Sequence, residues 1–236
     1  MTTPGSEGST SGRAEAVVAA RQSKVAADIR RARLMIVLRR VTPRARLLDL
    51  VSEVVEAGAR VIEVTLDGED GPADLAAVGD LLSGLVSSQE ERLWVGAGTV
   101  RTIHQLRAAH AAGAAFGVSP VLDREVLAAA LELGLPFIPG AMTPTEIDAA
   151  WRAGAALVKV FPGSSVGPSH VRELRGPLRE IELVVTGGVD LGNAAAFLEV
   201  GATAVGIGSA ILRASPAERR AIIDAVRLAS MPEAGA

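Results

Sequence analysis

A lysine stands inside an apolar run, AALVKVFPG, at position 159. A charged ammonium in such a setting costs several kcal/mol unless it is paired, so its pKa should fall. A neutral amine near physiological pH is what carbinolamine and imine formation require. The residue also fits a structural role, as half of a buried Lys–Glu pair or as a side chain reaching out from a strand end. Composition tilts the choice. Of 24 basic residues, only Lys24 and Lys159 are lysines. This chain uses arginine for its ordinary cations, so a lysine kept among apolar neighbours asks for a chemical reason.

Glu63 lies in RVIEVTL, again among apolar residues. A carboxyl group there can move protons, directly or through one water. It can equally balance the charge of Lys159, and the two roles are compatible. Two glycine-containing segments add a third element: TGGV (Thr186 to Val189) and GIGSAI (Gly206 to Ile211). Each is expected to open a helical segment, and small residues let backbone N–H groups approach an anion such as phosphate. Tight turn packing is the competing explanation. His104, His110 and His170 are scattered, without a second ligand at metal spacing, so no metal site is expected. Asp67, Glu69 and Asp70 form an acidic stretch that reads as a solvated loop.

These groups need elements to hold them. Short apolar runs begin at Leu34, Val61, Leu93, Ala115, Pro136, Leu157, Glu182 and Ala204. Each is bounded by Gly, Pro, Ser or Thr, as buried parallel strands are. Amphipathic stretches such as RARLLDLVSEVVEAGA lie between them. Capping residues are expected at Thr42 with Pro43, Thr143 with Pro144, and Asp190. Glycines 58, 113, 134, 154 and 201 sit where helices should end. Eight strands alternating with eight helices predict a (β/α)8 TIM barrel, with an open doubly wound sheet as the alternative. An extra helix is expected in front, over residues 14–33. The domain expectation is a tail over 1–13, one barrel domain over 14–230 and a flexible end at 231–236.

In such a barrel the active site lies at the C-terminal strand ends. There the sequence places Arg39 and Arg40, Glu63 and Thr65, Gly96 to Thr99, Ser119 and Pro120, Pro139 and Gly140, Lys159 with Phe161, Thr186 to Gly188, and Gly206 to Ser209. The second and sixth strands face each other, so Glu63 and Lys159 should meet in the barrel mouth.

Composition narrows the setting. Hydrophobic residues make up 49% and aromatics 3%, so the core must be mainly aliphatic. A net charge of −3 gives no electrostatic reason to expect nucleic acid or an anionic membrane as partner. No apolar run approaches the ~20 residues of a membrane span. The chain has no cysteine, which excludes thiolate chemistry and fits a cytoplasmic location. The N-terminal stretch, MTTPGSEGSTSGR, has no basic region followed by an apolar run, so it is not expected to be a secretory signal.

Taken in order, EVTL, VGAGTV, SP, IPG, VKVFP, TGGV and GIGS form a set. The chain resembles the 2-keto-3-deoxy-6-phosphogluconate / 4-hydroxy-2-oxoglutarate aldolase family over roughly residues 30 to 230. IVLR (Ile36 to Arg39) and KVFPGSSVGP (Lys159 to Pro168) resemble the branch that includes the phosphogalactonate aldolase. The resemblance implies a homotrimeric barrel that forms a lysine imine and uses no metal or other cofactor. Its partners would be pyruvate, as the 2-oxoacid, and an aldehyde. It implies Lys159 as the Schiff-base residue and Glu63 as the acid/base. It places the oxoacid carboxylate near Arg39 and Thr99, a phosphate near Gly187, Gly188, Gly208 and Ser209, and Pro120, Phe161 and Thr186 against the substrate.

The resemblance breaks at Asp67. Many members carry arginine directly after EVTL, and a carboxylate there should repel an anionic substrate unless it points away. Arg39 or Arg40 would then take over. Two other functions remain open on the sequence: a phosphosugar isomerase or epimerase that lacks the covalent lysine, and a family member redirected to a non-phosphorylated aldehyde.

Overall fold

The computed structural model describes residues 7–68, 70–85 and 92–229. The tail expected before residue 7, the expected flexible end at 231–236 and Glu69 of the acidic stretch lie outside these residues. The leading helix is two helices, α1 (Glu7–Gln22) and α2 (Lys24–Ala32). α1 begins within the stretch read as a tail. Ser23 separates the two and caps α2, its hydroxyl accepting from the Ala26 amide.

The barrel follows: β1 (Leu34–Leu38), α3 (Arg44–Glu56), β2 (Val61–Thr65), α4 (Gly71–Leu85), β3 (Trp94–Gly98), α5 (Ile103–Ala111) and β4 (Gly117–Val118). Then come α6 (Arg124–Glu132), β5 (Phe137–Ile138), β6 (Gly140–Ala141), α7 (Pro144–Ala153), β7 (Val158–Val160) and α8 (Gly163–Arg175). The chain continues with β8 (Leu183–Thr186), α9 (Ala194–Glu199), β9 (Ala204–Ile207), α10 (Ser209–Arg213) and α11 (Pro216–Leu228). Every strand pairing is parallel, in the order β5-β4-β3-β2-β1-β9-β8-β7-β6.

Nine strands stand where eight were expected, because the fifth run is split at Pro139. Proline has no N–H to continue a ladder. The two ends of the sheet, β5 and β6, are therefore neighbours along the chain, and the barrel is nearly closed across this break. Hydrogen bonds from the Ala156 amide to the Phe137 carbonyl and from the Lys159 amide to the Pro139 carbonyl, both 2.9 Å, carry the contact to the next strand. Counting β5 and β6 as one position, β2 and β7 lie opposite each other.

Helix ends follow local sequence. At α7 the Thr143 hydroxyl accepts from the Glu146 amide and Glu146 Oε2 accepts from the Thr143 amide, a reciprocal pair that satisfies two free N–H groups. Pro144 occupies the first turn, and Gly154 closes the helix at φ 109°. A Cβ at Gly154 would also press on Leu131 and Val17. Two capping expectations fail. α3 is capped by Pro43 with no side-chain bond from Thr42. Asp190 does not cap a helix and TGGV does not open one: α9 starts at Ala194 behind Asn193, after an Asp190–Asn193 turn. Ser215 and Glu218 form a further reciprocal cap on α11.

Side chains alternate in and out along each strand. The outward residues, among them Ile36, Ile62, Val158 and Val205, pack under the helices. The inward ones, Met35, Val61, Phe116, Leu157, Val184 and Ala204, form a second cluster with Val25, Ala26 and Ile29 of α2. α2 thus stops the N-terminal end of the barrel. Two polar ties fix it there: Arg30 makes a two-pronged bond to Glu182, both contacts 2.6 Å, and Asp28 accepts from Trp94 Nε1 at 2.8 Å. No helix among the described residues is long and apolar enough to cross a membrane.

Phe116 is the largest fully buried side chain of this layer. It fits because β3 carries glycine opposite it: a Cβ at Gly96 would overlap the ring. Gly96→Ala should cost about 1–3 kcal/mol by overpacking. Urea denaturation will measure this, and Phe116→Leu added to Gly96→Ala should recover part of the loss. Equal stability of the glycine and alanine proteins would show that the ring has room to move.

Candidate active site

The same alternation that points Val61 inward points Glu63 inward one step higher, and Leu157 does the same for Lys159. Glu63 is fully buried and Lys159 is 3% exposed. Glu63 fits because the neighbouring strand offers no side chain: a Cβ at Gly98 would collide with Glu63 Oε1. In the sequence Gly98 is one small strand-end residue among several; in the fold it is what leaves the Glu63 carboxyl its room.

Lys159 and Glu63 come from opposite sides of the barrel and influence each other's charge. Burial pushes the Lys159 amine down from its ordinary value, and the Arg39 charge pushes the same way. The Glu63 carboxylate opposes both and loses. Burial pushes Glu63 up, against the pull of Lys159 and Arg39, with Asp67 adding to the rise. So the lysine is biased toward its free base and the glutamate toward its acid. Neither Glu63 oxygen has a hydrogen-bond partner among the described residues. This is unusual for a buried carboxyl and leaves it ready to exchange a proton with a bound molecule.

Lys159 opens into a cavity of about 370 Å³. Its Nζ lies 4.7 Å from the centre of the Phe161 ring. Gly187 makes room for that ring: a Cβ there would come within 2.9 Å of it. Thr186 stands beside them on β8, its hydroxyl buried and without a partner among the described residues. Gly206 keeps β9 clear, since a Cβ would sit 2.6 Å from Thr186 Cγ2. At the far end lie Gly187 and Gly188, both at positive φ, together with Gly208 and Ser209. Asn193 Nδ2 donates to the Gly188 carbonyl at 2.9 Å and holds that loop.

Arg39 completes the rim. Its Nη2 donates to Thr99 Oγ1 at 3.5 Å. Thr99 has φ 59°, a left-handed conformation rare for a β-branched residue, which marks a place where the fold tolerates strain. The structure therefore gathers Lys159, Arg39, Phe161, Thr186, Gly187, Gly188, Gly208 and Ser209 around one cavity. Glu63 and Thr99 stand behind its wall and are coupled to it through Lys159 and Arg39. Pro120 does not line it. Its backbone packs against Gly140, where a Cβ would overlap it.

Asp67 does not line the lysine cavity among the described residues. Its Oδ2 lies 3.4 Å from Arg39 Nη1 and 3.1 Å from Arg40 Nη2. Partial burial pushes its carboxyl up, but the Thr65 hydroxyl and the charges of Arg39 and Arg40 outweigh this and hold it below the usual range. The acid placed to repel a substrate is thus engaged by two arginines. Among the described residues, no group of three His, Asp or Glu side chains is placed to hold a metal ion.

The family model for KDPG and KHG aldolase matches residues 25–226. The chain belongs to this family. The 2-dehydro-3-deoxy-6-phosphogalactonate aldolase of Escherichia coli (strain K12) is 31% identical over 79% of this chain and 88% of its own. The 2-dehydro-3-deoxy-phosphogluconate aldolase of Pseudomonas aeruginosa is 34% identical over 72% of this chain and 74% of its own. A solved structure described as native KDPGal superposes with a TM-score of 0.74 at 30% identity, covering 83% of this chain and 95% of that one. The fold is a TIM barrel of this family and the activity class is that of an aldolase, a lyase.

Burial of Lys159 has a kinetic consequence. The free base should be available well below the ordinary lysine value of 10.5. Inactivation by pyruvate plus borohydride, measured against pH, should have its acid limb below that value. A limb at the ordinary position would show that Lys159 titrates as a solvated amine.

Proposed function

We propose that Lys159 is the imine-forming residue of a class I aldolase that interconverts a 4-hydroxy-2-oxoacid with pyruvate and an aldehyde. The observation that carries this is the pairing of a buried amine, biased toward its free base, with a buried carboxyl biased toward its acid, beside one cavity.

The chemistry follows from those biases. Lys159 Nζ attacks the C2 ketone, and the Glu63 acid, directly or through one water, gives its proton to the departing carbinolamine hydroxyl, which leaves a protonated imine and a Glu63 carboxylate. The C3–C4 bond breaks and its electron pair moves into the imine, forming an enamine. Glu63, as carboxylate or through one water, takes the C4 hydroxyl proton as the aldehyde departs. It then returns a proton to C3, and water hydrolyses the imine to release pyruvate and the amine. The iminium cation meets the Phe161 ring, whose face favours positive charge.

Arg39 and Thr99 are proposed to receive the C1 carboxylate. Gly187, Gly188, Gly208 and Ser209 form the distal end, where a phosphate would sit on backbone N–H groups. Both named relatives take phosphorylated sugar acids by name. Pro120 acts at one remove, by fixing the β6 backbone through Gly140. A homotrimer is proposed on the family resemblance, and a cytoplasmic location fits a sequence without cysteine.

Borohydride with saturating pyruvate should leave a stable mass addition on Lys159, read by peptide mass spectrometry. No adduct would end the imine reading. Glu63→Gln separates the two roles: it should still be trapped by borohydride yet lose about 10²–10⁴ in turnover, the usual scale of a lost acid/base. Unchanged turnover would leave Glu63 as a charge balance only.

A further inference from the structure

Three cations line the cavity: Lys159, Arg39 and Arg40. The proposed reaction occupies two of them, Lys159 in the imine and Arg39 at the C1 carboxylate. Arg40 is the one cation of the lining left for the other end of the substrate. It shares that lining with Gly188, Gly208 and Ser209, the loops at the distal end. We infer that Arg40 is the residue that selects an aldehyde with an anionic terminus, and that Asp67 holds it ready as a resident counter-anion.

The backbone supports this placement. Arg40 has φ 50°, one of three non-glycine residues at positive φ in the described structure. That conformation turns the chain after Arg39, so that two consecutive arginines reach the same carboxylate. Asp67 Oδ2 accepts from Arg39 Nη1 at 3.4 Å and forms an ion pair with Arg40 Nη2 at 3.1 Å. Arg40 also lines a neighbouring cavity of about 630 Å³, together with Asp67, Asp70, Asp74 and Arg44. It therefore stands on the wall between the two spaces. Arg44 is held away from the site by Asp74 at 2.6 Å. Arg40 is the more exposed arm, its side chain 65% exposed against 44% for Arg39. A phosphate or carboxylate entering the distal end offers the Arg40 fork a second acceptor in place of Asp67.

This inference rests on the aldolase reading and deepens its substrate class. The test is the condensation of pyruvate with glyceraldehyde 3-phosphate and, separately, with glyceraldehyde. Arg40→Ala should lower kcat/KM for the phosphorylated aldehyde about tenfold or more, the scale of one lost charge-assisted contact. The neutral aldehyde should change less than about twofold. Arg40→Lys should keep part of the discrimination. Asp67→Asn should lower KM for the phosphorylated aldehyde, because the competing carboxylate charge is gone. Equal loss on both aldehydes in Arg40→Ala, or no loss on either, overturns the inference. Borohydride trapping of pyruvate runs alongside. An adduct in Arg40→Ala with unaltered discrimination removes Arg40 alone, whereas no adduct in the unsubstituted protein removes the aldolase reading and this inference with it.

Discussion

The side chain of Lys159 is almost wholly buried, and most of the architecture follows from that. A solvated lysine is protonated at neutral pH and cannot attack a ketone. Taking the ammonium out of water removes its hydration, and only a close counter-charge can replace it. Here the nearest candidate, Glu63, is itself fully buried, so it too resists ionisation. Each group would be stabilised by the other's charge, but both must first lose hydration. Burial wins on both sides, so the barrel interior holds the pair near the neutral forms that imine chemistry starts from. Arg39 adds to the effect on the lysine by repelling a second cation.

Such a pair stays dry only if the barrel is closed beneath it. α2 closes that end with Val25, Ala26 and Ile29 against the lowest inward layer. Above that layer the strands change character. Gly96 and Gly98 on β3 give their space to Phe116 and Glu63, and Gly206 on β9 gives its space to Thr186. Gly187 does the same for Phe161, which lies under the lysine nitrogen. Small residues at the strand ends therefore serve reach as much as flexibility. Each missing side chain is replaced by one from a neighbouring segment: Phe116 in the core layer, and Glu63, Thr186 and Phe161 above it.

The barrel was legible in the sequence because its signals are local: eight apolar runs, each bounded by turn residues, and helices ended by glycines that all take positive φ. Residue types at strand ends pointed to most of the cavity wall, and the facing of the second and sixth strands set Glu63 and Lys159 toward one mouth. What escaped were facts set between distant segments. The role of Gly98 depends on a side chain 35 positions away. The split at Pro139 depends on which strand edge its missing N–H faces. α2 as a stopper depends on which end of the barrel the leading helices reach. TGGV read as the start of a helix because glycines followed by a helical pattern suggest one, yet two consecutive positive φ values carry the chain outward first.

Asp67 is where residue type pointed one way and geometry another. A carboxylate at that strand end, taken alone, lowers the affinity of the mouth for anions. But Arg40 follows Arg39 directly, and the two guanidinium groups share the acid. Counting charges at the rim, two positive groups and one negative leave it positive, as one unpaired arginine would. The difference lies in distribution. A single arginine offers one fixed fork, while a shared acid holds two forks that can part when a better acceptor arrives. The exposed arm feels water and salt, so its pull on an anion is modest and screened over roughly 8 Å at physiological ionic strength. The Arg39 arm, less exposed than Arg40 and also tied to Thr99, is screened less. Attraction at this mouth is therefore short-ranged, and it discriminates by contact with the anionic group more than by long-range steering.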